Sequence, residues 1–429
     1  MTCLHVDQQC PAGAVCCPGR ATPILCRQVA RGHSGYRDLL ARLAAPPGEI
    51  VTPRPVPASP RERPKIGWLT PFAPMGGAER HLCDLIRHTR NRLDWVGACV
   101  LNKAHMSDAM LDEIRTLVPV YTEPLPVVLR SELVLTWSAG HLGRFVPKGE
   151  DAPMLILISH SDAADPYTPL VLAHGERDID SYVAVSRNAL DAIPAHRRRD
   201  AVVISNGVDP ARVAVTIDRG EVRRLWGIRP DQKVVGFLGR MSIEQKDPGA
   251  LARAVAALPD EWVGVGIGDG IGLGGDYRRI RKNARRHAPG RVHFFGARSD
   301  VGNVLAAFDV VLVPSTHESY CYVLAEAMLA GRPLVATRCG LLADHLEFDG
   351  LYERIPARAR GAVLAAAVLA AECGGPRVDR ARRLAEERLS IEASIKHWGS
   401  HLERLVQARR KARGRPPTTS PGHSPAPPG

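Results

Sequence analysis

Short apolar runs alternate with helical stretches along most of this chain, in two successive series, and nothing else in the sequence restricts the fold so strongly. The first series holds KIGWLT (Lys65 to Thr70), DWVGACVL, LVLTW, MLILISH, SYVAVS (Ser181 to Ser186) and AVVISNG (Ala201 to Gly207). The second opens at KVVGFLGR (Lys233 to Arg240) and continues through WVGVGIGDG, VHFFG, VVLVPS and PLVAT. Runs that are apolar on both faces and end in polar residues read as strands of a parallel sheet covered on both sides. Two β-α-β series predict an α/β chain with two doubly wound, Rossmann-like domains and a cleft between them. The join is expected at NGVDPARV (Asn206 to Val213), where a turn signature closes the first half.

The ends read differently. Residues 1–64 are expected to be a weakly ordered leader and proline-rich linker, because PPGEIVTPRPVPASPRERP has many prolines and no periodicity. Residues 413–429, RGRPPTTSPGHSPAPPG, read as a disordered tail on the same grounds. Between them, residues 65–205 form the expected N-terminal domain and 206–389 the expected C-terminal domain. The hydrophobic fraction of 45% in 429 residues permits real cores. No run of 18 apolar residues occurs, and GAVLAAAVLAA (Gly361 to Ala371) is too short to span a bilayer, so a soluble, cytoplasmic protein is expected.

The formal charge of +12 favours anionic partners. It is clumped in RRIRKNARRH (Arg278 to His287), HRRRD (His196 to Asp200) and the segment from Arg404 to Arg415. Such runs are usually solvated faces; docking to nucleic acid, anionic lipid or a phosphorylated substrate is the functional alternative. Ten cysteines are present, five of them within the first 26 residues (Cys3, Cys10, Cys16, Cys17 and Cys26). With no C-x2-C pair and irregular spacing they do not read as a zinc site. The other five are scattered singly, like free thiols in a reducing compartment.

Parallel α/β sheets bind ligands beyond the carboxyl ends of their strands, which directs attention to the residues after each run. PMGGAER follows the first strand, and Gly76 and Gly77 there would let backbone N–H groups approach a ligand oxygen; an ordinary tight turn is the alternative. LGRMSIEQKD follows the first strand of the second half. Arg240 and Lys246, six apart, could hold a diphosphate and stabilise charge developing on it as it leaves, or be surface cations without a task.

HESYCYVLAEAMLAG (His317 to Gly331) follows VVLVPS. Backbone N–H groups of Ser319, Tyr320, Cys321, Tyr322 and Val323 begin a helix and are available to an anion. Glu326 then falls among apolar neighbours, where a carboxylate costs several kcal/mol unless it accepts hydrogen bonds; a vicinal diol such as a ribose supplies two. An exposed helix glutamate is the plainer reading. Competing motifs are weak. Gly270, Gly272 and Gly275 match G-x-G-x-x-G within a glycine-rich run that lacks the following acidic residue. Asp178 and Asp180 form a D-x-D that precedes a strand instead of following one. No metal site is expected.

Taken together and in this order, GGAER, VAVSRNALDAI, VISNGVD, FLGRMSIEQKD, GIGDG, FFGARSDVGNVLAAFDVVLVPSTHESYCYVLAEAMLAGRPLVAT and SIKHWGSHLERL resemble the retaining family 4 glycosyltransferases of the GT-B fold. The resemblance covers about residues 65 to 405. It implies hexosyl transfer from a nucleotide-diphospho-sugar to a glycan or other hydroxyl acceptor, with retained anomeric configuration, no divalent metal and no cofactor beyond the co-substrate. It implies that a closing helix, about residues 390–412, crosses back to complete the N-terminal domain. Glu318 and Glu326 match the family's E-x7-E pair, the first facing the transferred sugar and the second the ribose. Arg240 and Lys246 match its diphosphate-binding pair. His160 stands where the family has an active-site histidine, and Gly77 lies in the turn facing donor phosphate or acceptor. The departures are Cys321, which replaces a glycine close to the sugar-phosphate, and GLLADH, with Asp344 where the family usually has Glu. A glycosyltransferase acting on nucleic acid or on a lipid-phosphate carrier at a membrane surface, and a non-catalytic GT-B binding protein, are the competing expectations.

Overall fold

A computed structural model describes residues 63–70, 76–101, 108–137, 145–147, 149, 152–162, 176–268 and 274–414. The cysteine-rich leader, nearly all of the linker, Gly270, Gly272 and the proline-rich tail from 415 onward lie outside these.

Seven parallel strands form the first sheet: β1 (Lys65–Thr70), β2 (Asp94–Val100), β3 (Val120–Tyr121), β4 (Leu133–Thr136), β5 (Met154–Ser159), β6 (Ser181–Ala184) and β7 (Val202–Val203), in the order β3-β2-β1-β4-β5-β6-β7. Six form the second: β8 (Lys233–Leu238), β9 (Trp262–Ile267), β10 (Val292–Phe295), β11 (Val310–Val313), β12 (Leu334–Ala336) and β13 (Glu353–Arg354), in the order β10-β9-β8-β11-β12-β13. Both orders reverse direction beside their first strand, at β1/β4 and β8/β11, which opens a crevice at each switch point. The edge strands β3 and β13 were not anticipated. Each has two residues, too few for any periodicity to register. The run from Ala201 to Gly207 gives only the two residues of β7, because the chain leaves the sheet there for the crossover.

Five helices position the site: α1 (Gly77–Thr89), α2 (Arg187–Asp191), α3 (Gly274–His287), α4 (Tyr322–Leu329) and α5 (Ile391–Ala412). Helix α1 begins at Gly76, whose extended backbone makes the N-cap, and Glu79 at the third helical position reaches back to the Gly76 N–H as in a capping box. Helix α5 buries Trp398, Leu402 and Val406, spaced four apart, against α1 and the first sheet. Two charge pairs fix it there, Arg92 with Glu403 (2.9 and 2.7 Å) and Arg410 with Glu132 (2.7 and 2.8 Å).

The chain thus passes between the two sheets twice, and the two crossings are bonded to each other. Val208 N–H donates to the Leu389 carbonyl (2.9 Å), and Ile391 N–H donates to the Val208 carbonyl (3.1 Å). Gly207 makes this possible: a Cβ there would lie 2.5 Å from the Ile391 Cα and 2.7 Å from the Ser390 carbonyl oxygen. Any side chain at Gly207 would force the crossings apart.

Candidate donor site between the two sheets

A cleft between the carboxyl edges of the two sheets is lined by Gly76 and Gly77 after β1, Gly239 and Arg240 after β8, Gly268 after β9, and Tyr322, Val323 and Glu326 of α4. The floor is tight: a Cβ on Gly268 would lie 1.9 Å from the Gly239 carbonyl oxygen. Only bare backbone fits where β8 and β9 end side by side, which leaves this floor open to a ligand.

On the second sheet's side, the two sequence-predicted carboxylates are both buried and both paired. Glu318 is 4% exposed and Glu326 2%. Glu326 Oε1 accepts from Arg212 Nε (3.0 Å) and from a second nitrogen of the same guanidinium (2.6 Å). Burial works against the Arg212 charge, but Glu326 beside it outweighs that and raises its pKa. Glu318 is bonded by the Lys246 ammonium and by the Ser315 hydroxyl (2.7 Å). Burial likewise opposes the Lys246 charge, and the Glu318 carboxylate again carries its pKa upward. Arg240 is exposed and donates to Gln245 Oε1 (2.9 Å).

The start of α4 has an unusual backbone. Cys321 is its N-cap, with φ 68° and ψ 85° in the left-handed region, and no side chain caps the helix. A non-glycine residue there carries roughly 1–2 kcal/mol of strain. This is a conformation suited to glycine, and Cys321 holds it while buried, with burial first and Glu318 second pushing its thiol pKa far up. Tyr322 faces the other domain: a Cβ on Gly77 would be 3.2 Å from the Tyr322 ring.

The first sheet's side is built on buried polar groups of another kind. His160 follows β5, and burial lowers its pKa to about 3. Its Nε2 and both ring nitrogens of His81 are buried with no hydrogen-bond partner. The two rings lie 5.3 Å apart, with Trp398 5.2 Å from His81 and Trp137 6.3 Å from His160. Glu79 is 3% exposed, and burial raises its pKa to about 7 against the pull of its backbone N–H bonds and of Arg240. The Gly76 N–H expected to face a ligand is one of those bonds. Glu79 therefore covers part of the glycine turn.

Of the residues singled out from sequence, Gly76, Gly77, Arg240, Tyr322, Val323 and Glu326 share this cleft. Lys246, Glu318, Ser319, Tyr320, Cys321 and His160 do not line it. Lys246, Glu318 and Cys321 form an electrostatically linked group behind the start of α4. Sequence reasoning missed Arg212, Glu79 and His81. Arg212 stands in the very segment read as the domain join, where Asp209 caps a short 3-10 turn, Pro210–Val213, by accepting from the Ala211 N–H (2.9 Å). Asp344, at the departure from the usual pattern, accepts from the Arg187 N–H (2.6 Å) at the start of α2 and so bridges the two domains.

Comparison with known proteins agrees with this architecture. Residues 232–371 match the family model described as glycosyl transferases group 1. D-inositol 3-phosphate glycosyltransferase of Mycobacterium marinum is 31% identical over 228 residues, 50% of this chain and 48% of that protein. The same-named protein of Mycobacterium bovis BCG Pasteur is 28% identical over 309 residues, 67% of this chain and 62% of that protein. The chain thus spans about half to three-fifths of the length of the curated relatives it matches. Among solved structures, Anabaena HepE in complex with UDP-glucose superposes with a TM-score of 0.67 at 22% identity, covering 80% of this chain and all of that one. The matched residues lie in the C-terminal half of a two-domain GT-B fold.

Proposed function

We propose that this chain is a retaining, metal-independent glycosyltransferase that moves a sugar from a nucleotide-diphospho-sugar to an acceptor hydroxyl, in the building of a glycan. The observation that carries the reading is the convergence on one interdomain cleft of an exposed Arg240, an uncapped helix start at Tyr322–Val323, and Glu326. A cation and free helix N–H groups suit a diphosphate, and a carboxylate fixed by a guanidinium suits the two hydroxyls of a ribose. The Mycobacterium relatives are named as glycosyltransferases, and the Anabaena structure holds UDP-glucose.

In this reading Lys246 leaves Glu318 to share the diphosphate with Arg240, which frees Glu318 for hydroxyls of the transferred sugar. The acceptor oxygen bonds to the anomeric carbon on the face from which the diphosphate departs. The carbon–oxygen bond to the phosphate breaks, and the acceptor's proton passes to the departing phosphate oxygen. His160, neutral at ordinary pH because of its burial, acts as a hydrogen-bonding partner of the sugar and not as a charged acid. Closure of the domains over the cleft would exclude water and align the reacting atoms.

Thermal-shift and hydrolysis measurements across UDP-, GDP-, ADP- and TDP-sugars test this. Stabilisation by one nucleotide class with slow donor hydrolysis is expected. Stabilisation by none would overturn the donor reading, and binding with neither transfer nor hydrolysis would assign a non-catalytic binding role.

The nature of the acceptor has one further pointer, on the C-terminal domain. Arg278, Arg279, Arg281, Lys282, Arg285 and Arg286 of α3 are exposed, and none is in an ion pair among the described residues. This face supports docking of a cytoplasmic enzyme at an anionic surface, where acceptors on lipid-phosphate carriers would be presented. Liposome binding that needs anionic lipid supports it, and preferential, salt-sensitive DNA binding would favour a nucleic-acid acceptor instead.

A further inference from the structure

Arg212 belongs to neither sheet. It sits on the short turn Pro210–Val213, directly after the crossover at Val208 that is bonded to the returning crossover. Its guanidinium is 19% exposed and lines the cleft, and both of its contacts to Glu326 go to a single carboxylate oxygen, Oε1. With its two donors on one oxygen, Arg212 fixes the rotation of the Glu326 carboxylate and leaves the second oxygen, Oε2, for other donors.

The Arg212 charge also acts on a group of the other domain. Asp84 of α1 is fully buried; burial raises its pKa to about 6, and Arg212 is the strongest charge opposing that rise. Asp84 Oδ1 accepts from Arg87 (2.9 Å), whereas Oδ2 is buried with no partner. One turn further along α1, His88 contacts Asp209 (3.0 Å), the cap of the turn that carries Arg212. Asp84 in the N-terminal domain and Glu326 in the C-terminal domain are thus both acidic neighbours of the Arg212 charge.

We propose that Arg212 is the positioning residue of the donor site: it orients Glu326 for the ribose and ties that recognition to helix α1 and the interdomain crossover. The inference rests on the donor reading above. It assigns Arg212 no contact with the reacting atoms. The effect of Arg212 therefore passes through Glu326 and is selective for the ribose hydroxyls.

Binding of UDP against 2′-deoxy-UDP, and of ADP against 2′-deoxy-ADP, provides the test, measured by calorimetry on the full chain. Loss of one hydroxyl bonded to a charged partner lowers wild-type affinity by about 10-fold or more. Arg212→Met is expected to bring the ribo/deoxy ratio close to one, as Glu326→Gln does, and Arg212→Lys to retain part of it. The double variant Arg212→Met/Glu326→Gln is expected to bind UDP no more weakly than Glu326→Gln alone, which a merely structural Arg212 would not produce. Should Arg212→Met fail to fold, Arg212→Lys carries the same comparison. A ribo/deoxy ratio that Glu326→Gln abolishes and both Arg212 variants leave intact overturns the inference alone. Failure of the wild type to bind any of these nucleotides overturns the donor reading and this inference together.

Discussion

The two sheets have the same strand order about their switch points, yet their carboxyl edges treat buried polar groups in opposite ways. On the C-terminal sheet each deep carboxylate has its own cation, Glu318 with Lys246 and Glu326 with Arg212. On the N-terminal side the buried groups beside the sheet edge have no such paired cation: His81 and His160 keep ring nitrogens unbonded, and burial raises Glu79 to about 7. The C-terminal edge is preorganised for a ligand of fixed charge, with its cations held ionised before anything binds. The N-terminal edge carries uncompensated desolvation, suited to a ligand that brings hydroxyl groups to meet it. The contrast is what the proposed division between a donor side and an acceptor side requires.

The largest effect should come from breaking the C-terminal pattern at Lys246. Lys246→Ala removes the cation that the proposed function assigns to the diphosphate and leaves Glu318 buried with only Ser315, so turnover should fall by about 100- to 1,000-fold. Steady-state kinetics check this, and normal turnover would remove Lys246 from the site. Glu326→Ala should weaken nucleotide binding by about 10-fold or more. It also strands a mostly buried Arg212 and should cost about 3 kcal/mol of stability, read from denaturant unfolding.

The N-terminal side is probed through pH. The folded Glu79 binds its proton up to about pH 7 and the unfolded one only to about 4.5. Within that window the folded state holds more protons, so this group's contribution to stability is lost as pH rises from 4.5 towards 7. Asp84 acts in the same direction over a lower window, between 3.8 and about 6. Glu79→Gln should flatten part of the slope and stabilise the protein by about 1–3 kcal/mol at neutral pH, seen in melting curves across the window. An unchanged slope would show that Glu79 is not held uncharged. The smallest effect is expected of Cys321→Gly, which relieves the left-handed backbone and should stabilise the fold by about 0.5–1 kcal/mol. A lower melting temperature would mean that packing of the thiol outweighs the strain.

Much of the fold could be read from the sequence because parallel strands covered on both faces declare themselves as apolar runs. The site was legible where a residue follows such a run: Gly76 and Gly77 after β1, Arg240 after β8, and Glu326 inside an otherwise apolar helix. Arg212 escaped because it follows a turn, not a strand, and only its contact with a residue 114 positions away gives it meaning. Glu79 escaped because a glutamate three residues into a helix is an ordinary cap, and nothing in its local sequence marks it as buried. His81 looked like one polar position on an amphipathic helix; α5, far along the chain, is what encloses it.

The account stands most directly on a crystal structure of the protein with an intact nucleotide-diphospho-sugar. It predicts the diphosphate between Arg240, Lys246 and the start of α4, the Lys246–Glu318 pair opened, and Glu326 on the ribose hydroxyls with Arg212 still on its other oxygen. A nucleotide bound elsewhere, or bound in the cleft with the Lys246–Glu318 pair intact and the ribose away from Glu326, would contradict it.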